Sequence, residues 1–124
     1  MIAADTSSLV AFLQGESGPD LTMIEAAVDG GQLRLPPVVV TELLSYPKAG
    51  PKITSAIGGF LQLDTSDGYW ERAGATRRIV LAHGFKARVA DALIAQSCID
   101  NSVSLITRDK DFRHFAKHCG LILA

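Results

Sequence analysis

No stretch of this chain approaches the roughly 20 consecutive apolar residues that carry a helix across a bilayer. Its start lacks a basic segment followed by a long apolar run, so no signal peptide is expected and a cytoplasmic location is. Cysteine is scarce. Cys98 and Cys119 are the only two, they form no C-x-x-C pair, and two thiols are too few for a zinc site. Both are expected to be reduced and partly buried. An excess of charge is missing as well: 12 Lys and Arg against 13 Asp and Glu leave a formal net charge of −1. No global basic field gathers nucleic acid, and an RNA ligand would need a local basic patch or a partner. Internal repeats, low-complexity tracts and linkers are absent too.

What is present suits one compact domain spanning 1–124. Apolar residues make up 48% of the chain, enough for a core without disulfide staples. Short apolar runs alternate with helical segments. Met1–Ala4 reads as a strand and Thr6–Leu13 as a helix, with a second helix from about Leu21 to Val28 stopping at Gly30-Gly31. Leu33–Leu35 alternates as a strand. Pro36-Pro37 opens a helix carrying Val39, Val40, Leu43 and Leu44 on one apolar side, with Glu42 near its edge. Tyr46–Pro51 is expected to be a loop. Phe60–Leu63 is a third strand, Asp67–His83 and Val89–Ile99 are helices, Val103–Ile106 is a buried strand, Lys110–His118 a last helix and Leu121–Leu123 a final strand. This alternation predicts an α/β three-layer sandwich: a mainly parallel central sheet flanked by helices on both faces. Functional groups of such sheets gather beyond the carboxyl ends of the strands.

Carboxylates occupy those positions. Asp5 follows the first strand, Glu42 lies within the first turns of the helix after the second, Asp91 begins the apolar helix, and Asp109 follows Leu105-Ile106-Thr107, with Asp111 two residues on. Each has an ordinary explanation. Asp5 can cap the helix at Thr6, Asp91 can favour its helix N-terminus through the dipole, Asp109 can close a turn, and Glu42 can be solvated. Taken together these explanations weaken. Asp91 lies between alanines with Leu93-Ile94 beyond, and a carboxylate near a core is costly without positive compensation. Arg88 and Arg108 flank the region, but several acids converge there. Crowded carboxylates raise one another's pKa, and a divalent cation relieves the repulsion. Oxygen-only ligands favour Mg²⁺ or Mn²⁺ over zinc. Such a cation can lower the pKa of a bound water and neutralise a phosphodiester; the sequence leaves open whether one or two act.

These residues form a familiar series. Asp5-Thr6-Ser7-Ser8-Leu9-Val10 resembles the opening motif of PIN domains, Glu42-Leu43-Leu44 the second acidic motif, Asp91-Ala92-Leu93-Ile94-Ala95 the third, and Leu105-Ile106-Thr107-Arg108-Asp109-Lys110-Asp111-Phe112 the fourth. Order, spacing and length are similar to VapC-like toxins of type II toxin–antitoxin systems, over essentially the whole chain. The resemblance implies a PIN-like fold and a metal site made by Asp5, Glu42, Asp91 and Asp109. It makes Thr107 and Ser7 supporting residues, and Asp111 an additional acid outside the direct ligands. It further implies Mg²⁺- or Mn²⁺-dependent endoribonuclease activity, a homodimer, and inhibition by a cognate antitoxin. Inserting a cation is the simplest physical way to block an acidic site, so the antitoxin is expected to place an Arg or Lys among Asp5, Glu42, Asp91 and Asp109. The proline-rich stretch Ser45–Lys52 is less typical of the family.

Arg88, Arg108 and Lys110 neighbour the acids and are the candidate phosphate contacts; an ordinary solvated charge is the alternative for each. His114 and His118 stand four apart on a helix, a metal-binding spacing, but no third ligand or H-E-x-x-H pattern accompanies them. Surface or packing roles are expected for both, and His83 before Gly84 reads as a helix end. Tyr69 and Trp70 are expected to be core or dimer-contact aromatics. Among rival functions, a phosphorylation-controlled receiver domain needs an acidic pair after the first strand and an acceptor after the third, whereas Asp5 is followed by Thr6-Ser7 and only Asp64 could accept. A D-x-D phosphatase fails at Ser7. A non-catalytic PIN-like module is disfavoured by the intact acids. An RNA-processing PIN nuclease outside a toxin–antitoxin pair remains open.

Overall fold

The computed structural model describes residues 1–124. Four parallel strands form its centre: β1 (Ile2–Ala4), β2 (Leu33–Leu35), β3 (Leu61–Gln62) and β4 (Ser104–Ile106), in spatial order β3-β2-β1-β4. Seven helices connect and cover them: α1 (Thr6–Leu13), α2 (Pro19–Asp29), α3 (Pro37–Leu44), α4 (Pro51–Gly58), α5 (Tyr69–Ala82), α6 (Val89–Asp100) and α7 (Phe112–Cys119). Successive side chains of a strand point to opposite faces. Ala3 and Ala4 of β1, and Leu105 and Ile106 of β4, are all fully buried. Both faces of the sheet are therefore covered, as expected for an all-parallel sheet.

The first three strands step outward to one side, and β4 returns to the other side of β1. The order therefore reverses between β1 and β4, the switch point beside which open α/β sheets form their crevice. Ile2 pairs with Ser104, and Ala4 with Ile106. The ladder continues one step further, with Asp5 N–H donating to the Ile106 carbonyl at 3.1 Å. This register brings residue 5 and residues 107–109 out of the sheet side by side.

Three expectations need correction. Residues 51–58 form the helix α4, where the sequence reading placed only a loop through Pro51 and no element before Phe60. Pro51 sits at the first helical position, where a missing N–H costs nothing. The Pro- and Gly-rich approach concealed the apolar residues Ile53 and Ile57 that dock the helix on the core. Leu121–Leu123, expected as a strand, contributes only an isolated parallel bridge between Leu123 and Leu105. The chain turns at Gly120, in the left-handed region at φ 83°, and meets β4 only at that bridge. A proline-opened first turn likewise carries the second helix back to Pro19 from the expected Leu21.

Packing between helices is tied by a few polar joints. Tyr69, buried at the start of α5, donates its hydroxyl to the Leu93 carbonyl at 2.6 Å. Arg72 pairs with Asp100 at 2.7 Å, and the buried Thr76 hydroxyl donates to Gln96. Phe112 and Phe115 of α7 are the largest fully buried side chains. Truncating Phe115 to Ala should cost about 3–5 kcal/mol of unfolding free energy, read by urea denaturation. A loss below about 1 kcal/mol would contradict its place in the core.

Candidate metal centre

The turn from β1 into α1 buries Asp5, which is 2% exposed. The residue does cap α1: its Oδ1 accepts from the Ser8 N–H at 3.0 Å. The same carboxylate also accepts from the Ser7 hydroxyl at 2.9 Å and, through Oδ2, from the Thr107 hydroxyl at 2.6 Å. Capping and membership of the acidic site are thus one arrangement. Burial raises the Asp5 pKa above its ordinary value. The bonds from Thr107, Ser8 and Ser7 oppose that rise, and the charge of Asp109 adds to it.

Beyond β4 the backbone folds so that Asp109 N–H donates to Thr107 Oγ1 at 3.0 Å and Asp111 N–H to Asp109 Oδ1 at 2.9 Å. Asp91 stands in the first turn of α6. Carboxylate oxygens of Asp91, Asp109 and Asp111 lie within 4.8 Å of one another. Asp111, expected outside the direct ligands, therefore stands inside the tightest acidic group. It occupies the N-cap position of α7 without making a capping bond, which leaves its carboxylate available. Burial first, then the charge of Asp109, pushes Asp91 from 3.8 up to about 6. Arg88 opposes that rise, while Glu42 and Asp111 add to it.

Glu42 and Asp5 are close enough to act on this group electrostatically but lie outside its closest trio. Glu42 is half-buried on α3, with Oε1 accepting from the Thr6 hydroxyl at 2.6 Å. The donor set is all carboxylate oxygen, converging from the first turn of α6 and the loop after β4 and straining against its own repulsion. That is the environment a hard divalent cation fits. Asp91, Asp109 and Asp111 stand closest together around such an ion, and the other expected ligands, Asp5 and Glu42, stand beside them and would complete its surround.

The basic candidates separate. Arg88, at the N-cap of α6, and Lys110 are exposed. Arg108 turns away from the acids: its Nε donates to Asp20 Oδ2 at 2.8 Å, Nη2 donates to Asp20 Oδ1 at 3.2 Å, and Nη1 stands 3.6 Å from Glu16. Its charge is committed to that pair and is not free for phosphate. The guanidinium in turn holds Asp20 below the usual carboxylate range. Sequence reasoning passed over Asp20 and Ser8. The only signal was an acid directly after a helix-opening proline, a position that ordinarily faces solvent.

The three histidines come together through stacked rings. His83 lies on His118 at 3.8 Å, and Phe85 on His114 at 3.9 Å. Cys98 is free and buried, and burial pushes its thiol to about 12. Trp70 is 66% exposed while its neighbour Tyr69 is core. Asp64, the one residue a receiver reading could use, follows the edge strand β3, which β2 separates from β1. It cannot join Asp5.

A carboxyl whose pKa is raised in the fold binds more protons folded than unfolded, so the contribution of Asp91 to the stability of the metal-free protein should grow as pH falls from 7 toward 4. The full rise of Asp91 to about 6 corresponds to about 3 kcal/mol, and solvent screening of a half-buried group reduces it to on the order of 1 kcal/mol. In chelator, Asp91→Asn should therefore be more stable at pH 7 by about that amount, with a flatter profile between pH 4 and 7. Denaturant titrations at several pH values check this. An unfolded Asp91→Asn protein would make the carboxylate structural instead.

The sequence matches the PIN domain over residues 2–118, and no curated protein matches it. The fold is similar to a chain in the crystal structure of VapBC2 from Rickettsia felis bound to a DNA fragment from their promoter. The TM-score is 0.76 at 19% identity, covering 100% of this chain and 98% of that one. It is also similar to a chain of FitAcB from Neisseria gonorrhoeae, with a TM-score of 0.66 at 19% identity, covering 100% and 97%. The parallel four-stranded fold, the acids gathered at its switch point and the match across nearly the whole chain lead to one conclusion: the protein belongs to the PIN-domain family, whose members are generally nucleases.

Proposed function

We propose that this protein is a Mg²⁺- or Mn²⁺-dependent endoribonuclease acting as the toxin of a toxin–antitoxin pair. The observation that carries the reading is the convergence of Asp91, Asp109 and Asp111 beside the buried Asp5. A bound divalent cation supplies phosphodiester charge neutralisation and acidifies water at neutral pH. The residues of the chain do the rest. Thr107 and Ser7 lock the Asp5 carboxylate in one orientation, and Asp109 is held by the same loop. Arg88 and Lys110 stand free near the acids and can each meet a phosphate of a single strand.

The toxin role draws on the likeness to chains from VapBC2 and FitAcB and on the surface beside the acids. A polar cleft containing Thr6, Glu42 and Ser45 shares Tyr46 and Pro47 with an apolar hollow of about 360 Å³. Val10, Leu13, Leu43 and Ile53 also line that hollow. A partner segment can seat apolar side chains there and reach the acids with an Arg, whose planar fork engages carboxylates bidentately. On the opposite requirement, self-association, the exposed Trp70, Leu81 and Val89 border a groove of about 640 Å³ between α5 and α6, floored by Ala73 and Gly74. A two-fold homodimer buries the same patch on both copies, and this exposed apolar patch is the one assigned to the expected homodimer.

Chelator should abolish cleavage of RNA by the purified chain, and Mg²⁺ or Mn²⁺ should restore it. Asp91→Asn should reduce the rate by more than about 100-fold, the upper range for losing an outer-sphere partner, and should relieve the growth arrest caused by induced expression. Full activity in excess chelator would reject the metal reading. Cleavage without growth arrest would favour an RNA-processing nuclease.

Sedimentation of the isolated chain should give a dimer at micromolar concentration, and Trp70→Glu a monomer. A small protein encoded beside it should co-purify, and changing that partner's site-directed Arg to Ala should release cleavage. Undiminished inhibition would rule out a plugged site.

A further inference from the structure

Asp20 lies outside the acidic cluster, yet it is as buried as a core residue, at 9% exposure. Both its oxygens are used. Oδ2 accepts from the Ser8 hydroxyl at 2.9 Å and from Arg108 Nε at 2.8 Å, while Oδ1 accepts from Arg108 Nη2 at 3.2 Å. A first-turn acid facing solvent would serve the dipole of α2 equally well, so that role does not explain why it turns inward. Gly18 makes the close approach possible: a Cβ there would stand 2.9 Å from Asp20 Oδ1 and 3.5 Å from Arg108 Nη2.

The partners of Asp20 are the immediate neighbours of the acids. Ser8 gives its N–H to Asp5 Oδ1, and Asp5 Oδ2 accepts from Thr107. Thr107 accepts from Asp109 N–H, and Arg108 is the residue between those two. The bonds close into a circuit: Asp20, Ser8, Asp5, Thr107, Arg108 and back to Asp20. Two segments carry the acids on either side of the switch point, and Asp20 is the side chain that joins both from outside.

We propose that Asp20 is a positioning residue for the metal centre, fixing the distance between Asp5 and the Asp109 loop by clamping Ser8 and Arg108 together. This rests on the metal reading above. The requirement is strict, because metal ligands must be held to within about 0.5 Å of their working geometry. The clamp has a second consequence. Arg108 lies in sequence beside Asp109, and a free guanidinium there would compete with a cation for the carboxylates. Held by Asp20, it does not.

The test is Mn²⁺ affinity of the metal-free full chain, measured by electron paramagnetic resonance, for wild type, Asp91→Asn, Asp20→Asn, Arg108→Gln and the Asp20→Asn/Arg108→Gln double variant. Asp20→Asn and Arg108→Gln should each weaken Mn²⁺ binding by ~10–100-fold, as loss of outer-sphere support does. The double variant should be no weaker than either single, because the two residues act as one unit. RNA cleavage by the single variants should return at saturating Mn²⁺. Unchanged Mn²⁺ affinity with a lowered melting temperature would make the clamp a structural staple only and overturn the proposal, as would fully additive losses. Should Asp20→Asn not fold, Arg108→Gln decides by itself, since that side chain is partly exposed. If wild type binds no Mn²⁺, or Asp91→Asn binds it as well as wild type, the metal reading falls and the proposal with it.

Discussion

The hydrogen bond from Thr107 to Asp5, 2.6 Å long across 102 residues of sequence, is the contact on which the arrangement of the site depends. It joins the exits of β1 and β4 where the sheet reverses its order. Asp5 is buried, and a buried carboxylate without partners would be expelled or neutralised. Three donors satisfy it, and each comes from a segment that also positions another acid or its support. The parallel register of β1 and β4 makes the contact possible, and the contact in turn holds the loop that presents Asp109 and Asp111.

The same geometry sets stability against function. Hydrogen bonds stabilise Asp5 as an anion, but Asp91, Asp109 and Asp111 repel one another at short range and have few donors between them. Asp91 bears the consequence, held near a pKa of 6 by burial and by Asp109. A fold selected for stability alone would place apolar or cationic groups there. The repulsion is tolerated because the core beneath is well filled, with Ile94, Ala95, Leu105 and Ile106 all buried, and because polar joints such as Tyr69 to Leu93 fix α6 against α5.

Charge is distributed with the same economy. The chain has almost no net charge, so attraction for a polyanion has to come from individual side chains. Of the three basic residues that neighbour the acids in sequence, Arg108 is neutralised by Asp20, while Arg88 and Lys110 remain exposed. A site this acidic with so little basic surround repels anions until a cation offsets its charge.

The sequence by itself determined the alternation of strands and helices, and with it the parallel sheet, because hydrophobic period and the Gly and Pro punctuation are local properties. It also placed Asp5, Asp91 and Asp109 at strand exits and a helix start, since an acid after a short apolar run is visible without knowing the fold. Helix α4 escaped because its Pro-Gly approach reads as loop and its two docking isoleucines are too few to reveal a period. Side-chain direction was decided only in three dimensions. Asp111 turns into the acidic group, Arg108 turns out of it toward Asp20, and Trp70 faces solvent beside a buried Tyr69. Sequence spacing fixes where a Cα lies along an element, but which way a charge points depends on partners brought near by other segments. For Arg108 that partner is 88 residues away, across a contact that exists only once β1 and β4 have paired.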